Sequence, residues 1–325
     1  MAQARYPTAP LSAAPRRRAA RPAHDTVVPD ASGRVVLSRT LVIDNDAGMS
    51  ATDALAAATG LPKLRVKDAM AKGAVWLQRG TRKPQRLRRV TTELARGDRL
   101  SLYYDSAVLA SDPPAAALVA DHKRYSVWRK PAGLLVEGSR FGDHATLARQ
   151  IDQHFGGRRE VHLVHRLDLE ASGLVLAAHS SGATAKLAAL FQQRTIDKRY
   201  RVTVRGAPGP AGHYGRSDAP LDGKPAVTEF RVEAVDPDTR TATLEIRMLS
   251  GRYHQIRRHL CDLGYPVMGD PRYGTHNRNT EGLQLAAIGL SFEDPWNGTR
   301  VAFGECAPWP RGNALPSAAP RTPLP

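Results

Sequence analysis

Two segments concentrate the side chains able to do chemistry. The first runs Val161-His-Leu-Val-His-Arg-Leu-Asp-Leu-Glu-Ala-Ser-Gly173 and leads into the apolar Leu174-Val-Leu-Ala-Ala178. Asp168 lies between Leu167 and Leu169, and a carboxylate in so apolar a neighbourhood needs a partner or it neutralises. It is either a structural Asp capping the turn before Ser172-Gly173 or a catalytic carboxylate. His162, His165 and Asp168 invite a metal, but on an extended segment two residues three apart point to opposite faces. No acidic or cysteine cluster elsewhere completes such a site, so no metal is expected. The second segment runs Ser250-Gly-Arg-Tyr-His-Gln-Ile-Arg-Arg-His-Leu-Cys-Asp-Leu-Gly264 and then Tyr265-Pro266. It reads as a helix stopped by glycine and proline, with Ile256, Leu260 and Leu263 as its buried stripe. Arg257 borders that stripe and calls for a carboxylate partner, for which Asp168 is a candidate. His254 and His259 are five apart, which excludes an i, i+4 metal helix.

The elements that must position these residues alternate between periods of two and of 3.6. Tyr200, Val202 and Val204 alternate with Arg201, Thr203 and Arg205, as on a half-exposed strand. Phe230 to Val232 and Ala242 to Met248 alternate likewise around Asp236-Pro237-Asp238, which is hairpin chemistry. Residues 184–193 read as a helix with Leu187, Leu190 and Phe191 on one face. Hairpins with interspersed helices predict an α+β fold rather than a doubly wound sheet. Ahead of this part, Ser50 caps a helix that stops at Gly60-Leu61-Pro62, and a second helix fits Val66 to Lys72. Ala74 to Leu77 and Asp98 to Tyr104 read as strands. The expected organisation is a basic tail over 1–33 too poor in apolar residues to fold, a small α+β unit over 34–106 and a linker over 107–117. The main domain follows over 118–309, then a Pro-rich tail over 310–325.

Charge narrows the partner. The 325 residues carry 47 Lys+Arg against 31 Asp+Glu, a formal net charge of +16. Residues 61–100 alone hold twelve cations against Asp68, Glu93 and Asp98. A folded basic unit of this kind fits a polyanion, bound with counterion release and strong salt dependence. No apolar run approaches the ~18 residues that span a bilayer. Two cysteines, Cys261 and Cys306, exclude a disulfide framework and suit a reducing, cytoplasmic setting.

An ordered set of motifs resembles the RluA-type family of RNA pseudouridine synthases. It comprises Arg129-Lys-Pro-Ala-Gly-Leu-Leu135, His165-Arg-Leu-Asp-Leu-Glu-Ala-Ser-Gly173, Lys198-Arg-Tyr200 with Gly206, and Gly223-Lys-Pro-Ala226. Gly251-Arg-Tyr-His-Gln-Ile-Arg257 and Gly264-Tyr-Pro with Gly269-Asp270 complete it. The likeness covers about residues 118–305 in family order. The 34–106 unit resembles a divergent alpha-L RNA-binding domain, with Gln78-Arg-Gly80 where an Asn-Gly is usual. Three departures from the main pattern stand out: Ala171 stands for Thr, Tyr253 for a small residue, and Leu283-Gln-Leu-Ala-Ala287 lacks a histidine.

The resemblance implies isomerisation of uridine to pseudouridine in structured RNA, with no metal and no organic cofactor. The base is cut from the ribose, turned, and rejoined through carbon. Asp168 then matches the essential carboxylate acting at the sugar, by attack on the anomeric carbon or by removal of a ribose proton. Arg257 matches its arginine partner. Tyr200, otherwise readable as a core tyrosine, matches the tyrosine that stacks on the target base. Arg166 matches a residue that enters the space left by the displaced base, and His165, Lys130, Lys198 and Arg252 join it as RNA-binding candidates. Lys63, Arg65 and Lys67 are the phosphate-contact candidates of the small unit. Ribosomal RNA is the favoured substrate and transfer RNA the alternative, with the protein expected to act as a monomer and without a membrane partner. Loss of Asp168, Tyr200 or Arg257 would have favoured a silent RNA-binding or ribosome-assembly protein, and a hydrolase using a carboxylate and histidines would show a second acid or a metal cluster.

Overall fold

The computed structural model describes residues 30–44, 48–307 and 309. All but the last four residues of the expected basic tail, and the whole 310–325 tail, lie outside them. Among the described residues the chain forms β1 (Val36–Val42), α1 (Ala51–Thr59), α2 (Lys63–Ala71), β2 (Val75–Gln78), β3 (Gln85–Arg86) and β4 (Arg99–Asp105). Then come α3 (Ser106–Leu109), β5 (Ala117–Asp121), β6 (Tyr125–Lys130), α4 (Leu147–His154), β7 (His162–Leu163), β8 (Ser172–Ala178) and α5 (Ser181–Gln192). The chain continues as β9 (Asp197–Arg205), β10 (Tyr214–Ser217), β11 (Thr228–Asp236), β12 (Thr241–Met248), α6 (Gln255–Asp262), β13 (Leu285–Glu293) and β14 (Arg300–Gly304).

The first four strands make one sheet in the order β1-β4-β2-β3. Ser50 accepts the Asp53 N–H to start α1, and Gly60 ends it at φ 72°, a left-handed turn that glycine adopts without steric cost. Leu55, Val66, Met70, Val75, Leu100 and Leu102 form the core of this unit. Two details differ from expectation. Strand β1 was not anticipated, because its residues alternate only between exposed and half-buried and leave little hydrophobic signal. The linker is shorter than 107–117: Asp105 caps α3 by accepting from the Ala107 and Val108 N–H groups, and Leu109 packs into the small unit's core.

The other ten strands form one sheet whose path runs β10-β11-β12-β9-β13-β8-β6-β5, with β14 on β13 and β7 on β8. Every pairing in it is antiparallel except β13 with β8. At that junction Gly173 (φ 116°) meets Ala287 so closely that a Cβ would lie 2.2 Å from its carbonyl oxygen. Helices α4 and α6 cover one face, where Leu147, Ile151, Ile256 and Leu260 pack on Val175, Tyr200, Val202, Leu244 and Ile246. Helix α5 covers the other through Ala183 and Leu187 against Leu174, Leu176 and Phe292. Burying both faces of a sheet is the ordinary solution for an α+β domain.

The two sheets are joined by contacts of Trp76 on β2, Arg86 on β3 and the following Arg88 with the segment after β6. Arg86 Nε lies 3.1 Å from Asp143, Arg88 donates to the same carboxylate, and Trp76 Nε1 donates to the Arg140 carbonyl at 3.0 Å. Part of the basic stretch is thus spent inside the molecule.

Candidate active site

Helix α6 opens at His254, which adopts a left-handed backbone (φ 50°, ψ 33°) rare for a residue with a side chain. Such a conformation persists only where its surroundings impose it. Gln255 supplies the anchor: its Oε1 accepts from Ser250 Oγ (2.8 Å) and the Arg252 N–H (3.0 Å), and its amide donates to the Val227 carbonyl (2.9 Å) and Thr228 Oγ1 (3.0 Å). One turn on, Arg257 is 1% exposed.

A buried guanidinium has five donors to satisfy. Arg257 gives Nε and Nη2 to Asp270 at 2.7 Å each and Nη1 to Asp168 Oδ2 at 2.9 Å. Asp270 is the residue that sequence reasoning missed as a functional partner. Five donors exceed what one carboxylate accepts, and that surplus was the signal. Burial pushes the Asp270 carboxyl up, but the Arg257 bonds and the Arg272 and Tyr273 N–H groups outweigh it and hold it below the usual range. Burial opposes the charge on Arg257, yet the two carboxylates raise its pKa.

Asp168 is less buried than Arg257 and Asp270, with 26% of its side chain exposed, and its Oδ1 accepts no hydrogen bond from the described residues. His254 Nε2 lies 3.5 Å from Oδ2. Burial holds the His254 pKa down, with Arg257 and Arg272 adding to it against the pull of Asp168. The imidazole is therefore mostly neutral near pH 7.

Asp168 opens onto a cavity of about 1050 Å³, which Tyr200, His254, Arg166, Arg194, Lys198 and Arg252 also line. Tyr200 projects from β9; burial, and then the Asp168 charge, push its phenol up, so it stays protonated. Burial, with Arg194 nearby, pulls Lys198 down to about 8. The cavity thus combines the Arg257-anchored Asp168, an aromatic wall and a surplus of cations beyond the Arg199 and Arg247 that pair with Asp197, a combination suited to a nucleotide. Among the described residues no group of three or more His, Cys, Asp or Glu is placed to hold a metal.

The RNA pseudouridylate synthase family model matches residues 124–261, which span β6 to α6 and contain Asp168, Tyr200 and Arg257. Ribosomal large subunit pseudouridine synthase D of Zymomonas mobilis is 32% identical over 218 residues, covering 57% of this chain and 67% of that protein. Dual-specificity RNA pseudouridine synthase RluA of Vibrio parahaemolyticus is 30% identical over 236 residues, covering 64% of this chain and 92% of that protein. The chain belongs to the RluA-type family of RNA pseudouridine synthases. A solved structure, Human RNA Pseudouridylate Synthase Domain Containing 1, aligns at 24% identity with a TM-score of 0.46, over 66% of this chain and 93% of that one.

In this pseudouridine synthase the expected site residues divide into four groups. Asp168 and Tyr200 meet at the cavity and Arg257 stands behind Asp168. Arg166, Lys198 and Arg252 line the cavity with them. Two expectations need correction. Lys130 is fully buried and donates to the carbonyls of Pro131 (2.9 Å), Leu134 (2.8 Å) and Leu169 (3.2 Å), so it ties down the residue after Asp168 and presents no charge to RNA. His165 lines the cavity, but its Nε2 accepts the Leu176 N–H at 2.9 Å and its ring stacks on Phe191. Burial, and then Lys198, pull its pKa to about 3, so it is neutral and grips no phosphate by charge. Lys63, Arg65 and Lys67 are exposed on α2, outside the cavity lining. Lys63 pairs with Asp53 at 2.5 Å. Among the described residues no helix is long and apolar enough to cross a membrane.

Proposed function

We propose that the protein isomerises uridine in large-subunit ribosomal RNA, with Asp168 as the carboxylate that acts at the ribose. The observation that carries this reading is the 2.9 Å bond from buried Arg257 to Asp168 at the cavity wall. That bond, with Asp270 behind it, keeps Asp168 oriented while leaving Oδ1 open for chemistry. Arg257 is a positioning residue and Tyr200 supplies a neutral aromatic surface for the base. Arg166, Lys198 and Arg252 meet phosphates or the vacated stack, offsetting the roughly few kcal/mol that extruding a base costs. The β1–β4 unit serves as an accessory RNA-binding domain through Lys63, Arg65 and Lys67. The protein works as a monomer in the cytoplasm.

The named target of the Zymomonas mobilis relative supports ribosomal RNA over transfer RNA. Carbodiimide-dependent primer extension tests it across ribosomal and transfer RNA from a deletion strain, complemented with wild type or Asp168→Asn. A large-subunit stop that vanishes on deletion and returns only with wild type is expected. A stop that moves with the gene in transfer RNA alone would reassign the substrate.

A further inference from the structure

Tyr253 lines the cavity yet remains 58% exposed. An exposed tyrosine is usually free to change rotamer, whereas this ring is held at both ends. It stacks on His254 with centroids 3.7 Å apart and planes 20° apart. Its hydroxyl accepts from Arg272 Nη1 at 2.9 Å. His254 is fixed in turn by its left-handed backbone, by Tyr273, whose hydroxyl is 3.1 Å from Nδ1, and by the Gln255 bonds below it. One face of Tyr253 is occupied by His254; no other ring or cation stacks on it among the described residues. The result is a rigid, open aromatic face beside the catalytic carboxylate, in a cavity whose other walls carry Arg166, Lys198 and Arg252.

We propose that the open face of Tyr253 is a stacking subsite for a nucleobase next to the uridine that enters the cavity. The proposal rests on the reading of the cavity as the uridine site. Extruding a uridine leaves its neighbour with a bare π-face, and an aromatic side chain already held in place restores the lost stack at small entropic cost. Stacking of one base on a protein aromatic contributes about 5- to 150-fold in affinity. The ring contacts substrate outside the reacting base, so it strengthens binding equally before and during the chemical step. Its loss therefore falls on KM and Kd and spares kcat.

The test compares wild type with Tyr253→Ala, Tyr253→Leu, Tyr253→Phe and Tyr253→Trp. Product is read as tritium released from transcripts labelled at uridine C5, the carbon that exchanges its hydrogen for the sugar; Kd is read by filter binding. The transcript is whichever one, large-subunit ribosomal or transfer RNA, releases tritium with wild type. Ala and Leu should raise KM and Kd together by about tenfold with kcat within about twofold, while Phe and Trp stay near wild type. Unchanged KM and Kd in Ala and Leu would overturn the subsite. So would a fall in kcat alone, which would make the ring a prop for His254, or a Leu variant equal to wild type, which would make it apolar packing. Release by wild type from neither RNA would defeat the reading of the cavity and the subsite with it.

Discussion

Replacing the two carboxylates of Arg257 one at a time should give unequal losses of stability. Asp270 is fully buried and makes two 2.7 Å bonds to the guanidinium; Asp168 is 26% exposed and makes one at 2.9 Å. Removing one partner of a buried pair strands the other charge and costs about 3–5 kcal/mol. Asp270→Asn should fall in that range, since Asp270 also holds the Arg272 and Tyr273 N–H groups. Asp168→Asn keeps an amide oxygen able to accept from Nη1, so its cost should stay near that of one ordinary hydrogen bond, about 1 kcal/mol. Urea unfolding at pH 7, followed through buried Trp128 in the same core as α6, measures both. The contrast depends on pH. Asp270 has a folded pKa below its unfolded one, so its contribution is complete above the unfolded pKa and is lost as pH falls through the folded value. The gap between wild type and Asp270→Asn should narrow on acidification. Equal losses for the two variants, or a larger loss for Asp168→Asn, would refute the assignment of Asp270 as the principal counter-charge.

Two further outcomes follow from other contacts. Lys198, with a pKa of about 8, faces the cavity with Arg194 and Asp197 and loses its charge as pH rises through that value. KM for RNA should climb above pH 8, and Lys198→Arg should flatten the climb; an unaltered profile in that variant would exclude Lys198 as its source. Asp143 joins the two sheets through Arg86 and Arg88. Asp143→Ala should speed subtilisin cleavage within residues 110–116 without changing kcat, and unchanged cleavage would show that the contact restrains nothing.

What the sequence made legible follows from how locally each feature is encoded. The period-two runs in β9, β11 and β12 and the stripe of Ile256, Leu260 and Leu263 are written in neighbouring residues, so both the sheet and α6 could be read directly. The Asp168–Arg257 pair joins positions far apart in the chain; chemistry suggested it because both charges sit in apolar stretches that demand partners. Asp270 escaped because its need for Arg257 is met only in three dimensions. Lys130 and His165 were misread for a related reason. A lysine or histidine within a motif carries no local mark of whether its nitrogen will face phosphate or a backbone group. Burial decides that: Lys130 is enclosed by the packing of the segment after it against Leu169, and His165 is held by the Leu176 N–H and the Phe191 ring.

The central claim concerns Asp168, and single-turnover tritium release from uridine-labelled large-subunit ribosomal RNA tests it most directly. Asp168→Asn should bind this RNA within about twofold of wild type, because none of the cavity's cations is altered, and should release no tritium. Release by a folded Asp168→Asn protein at a rate close to wild type would contradict the account.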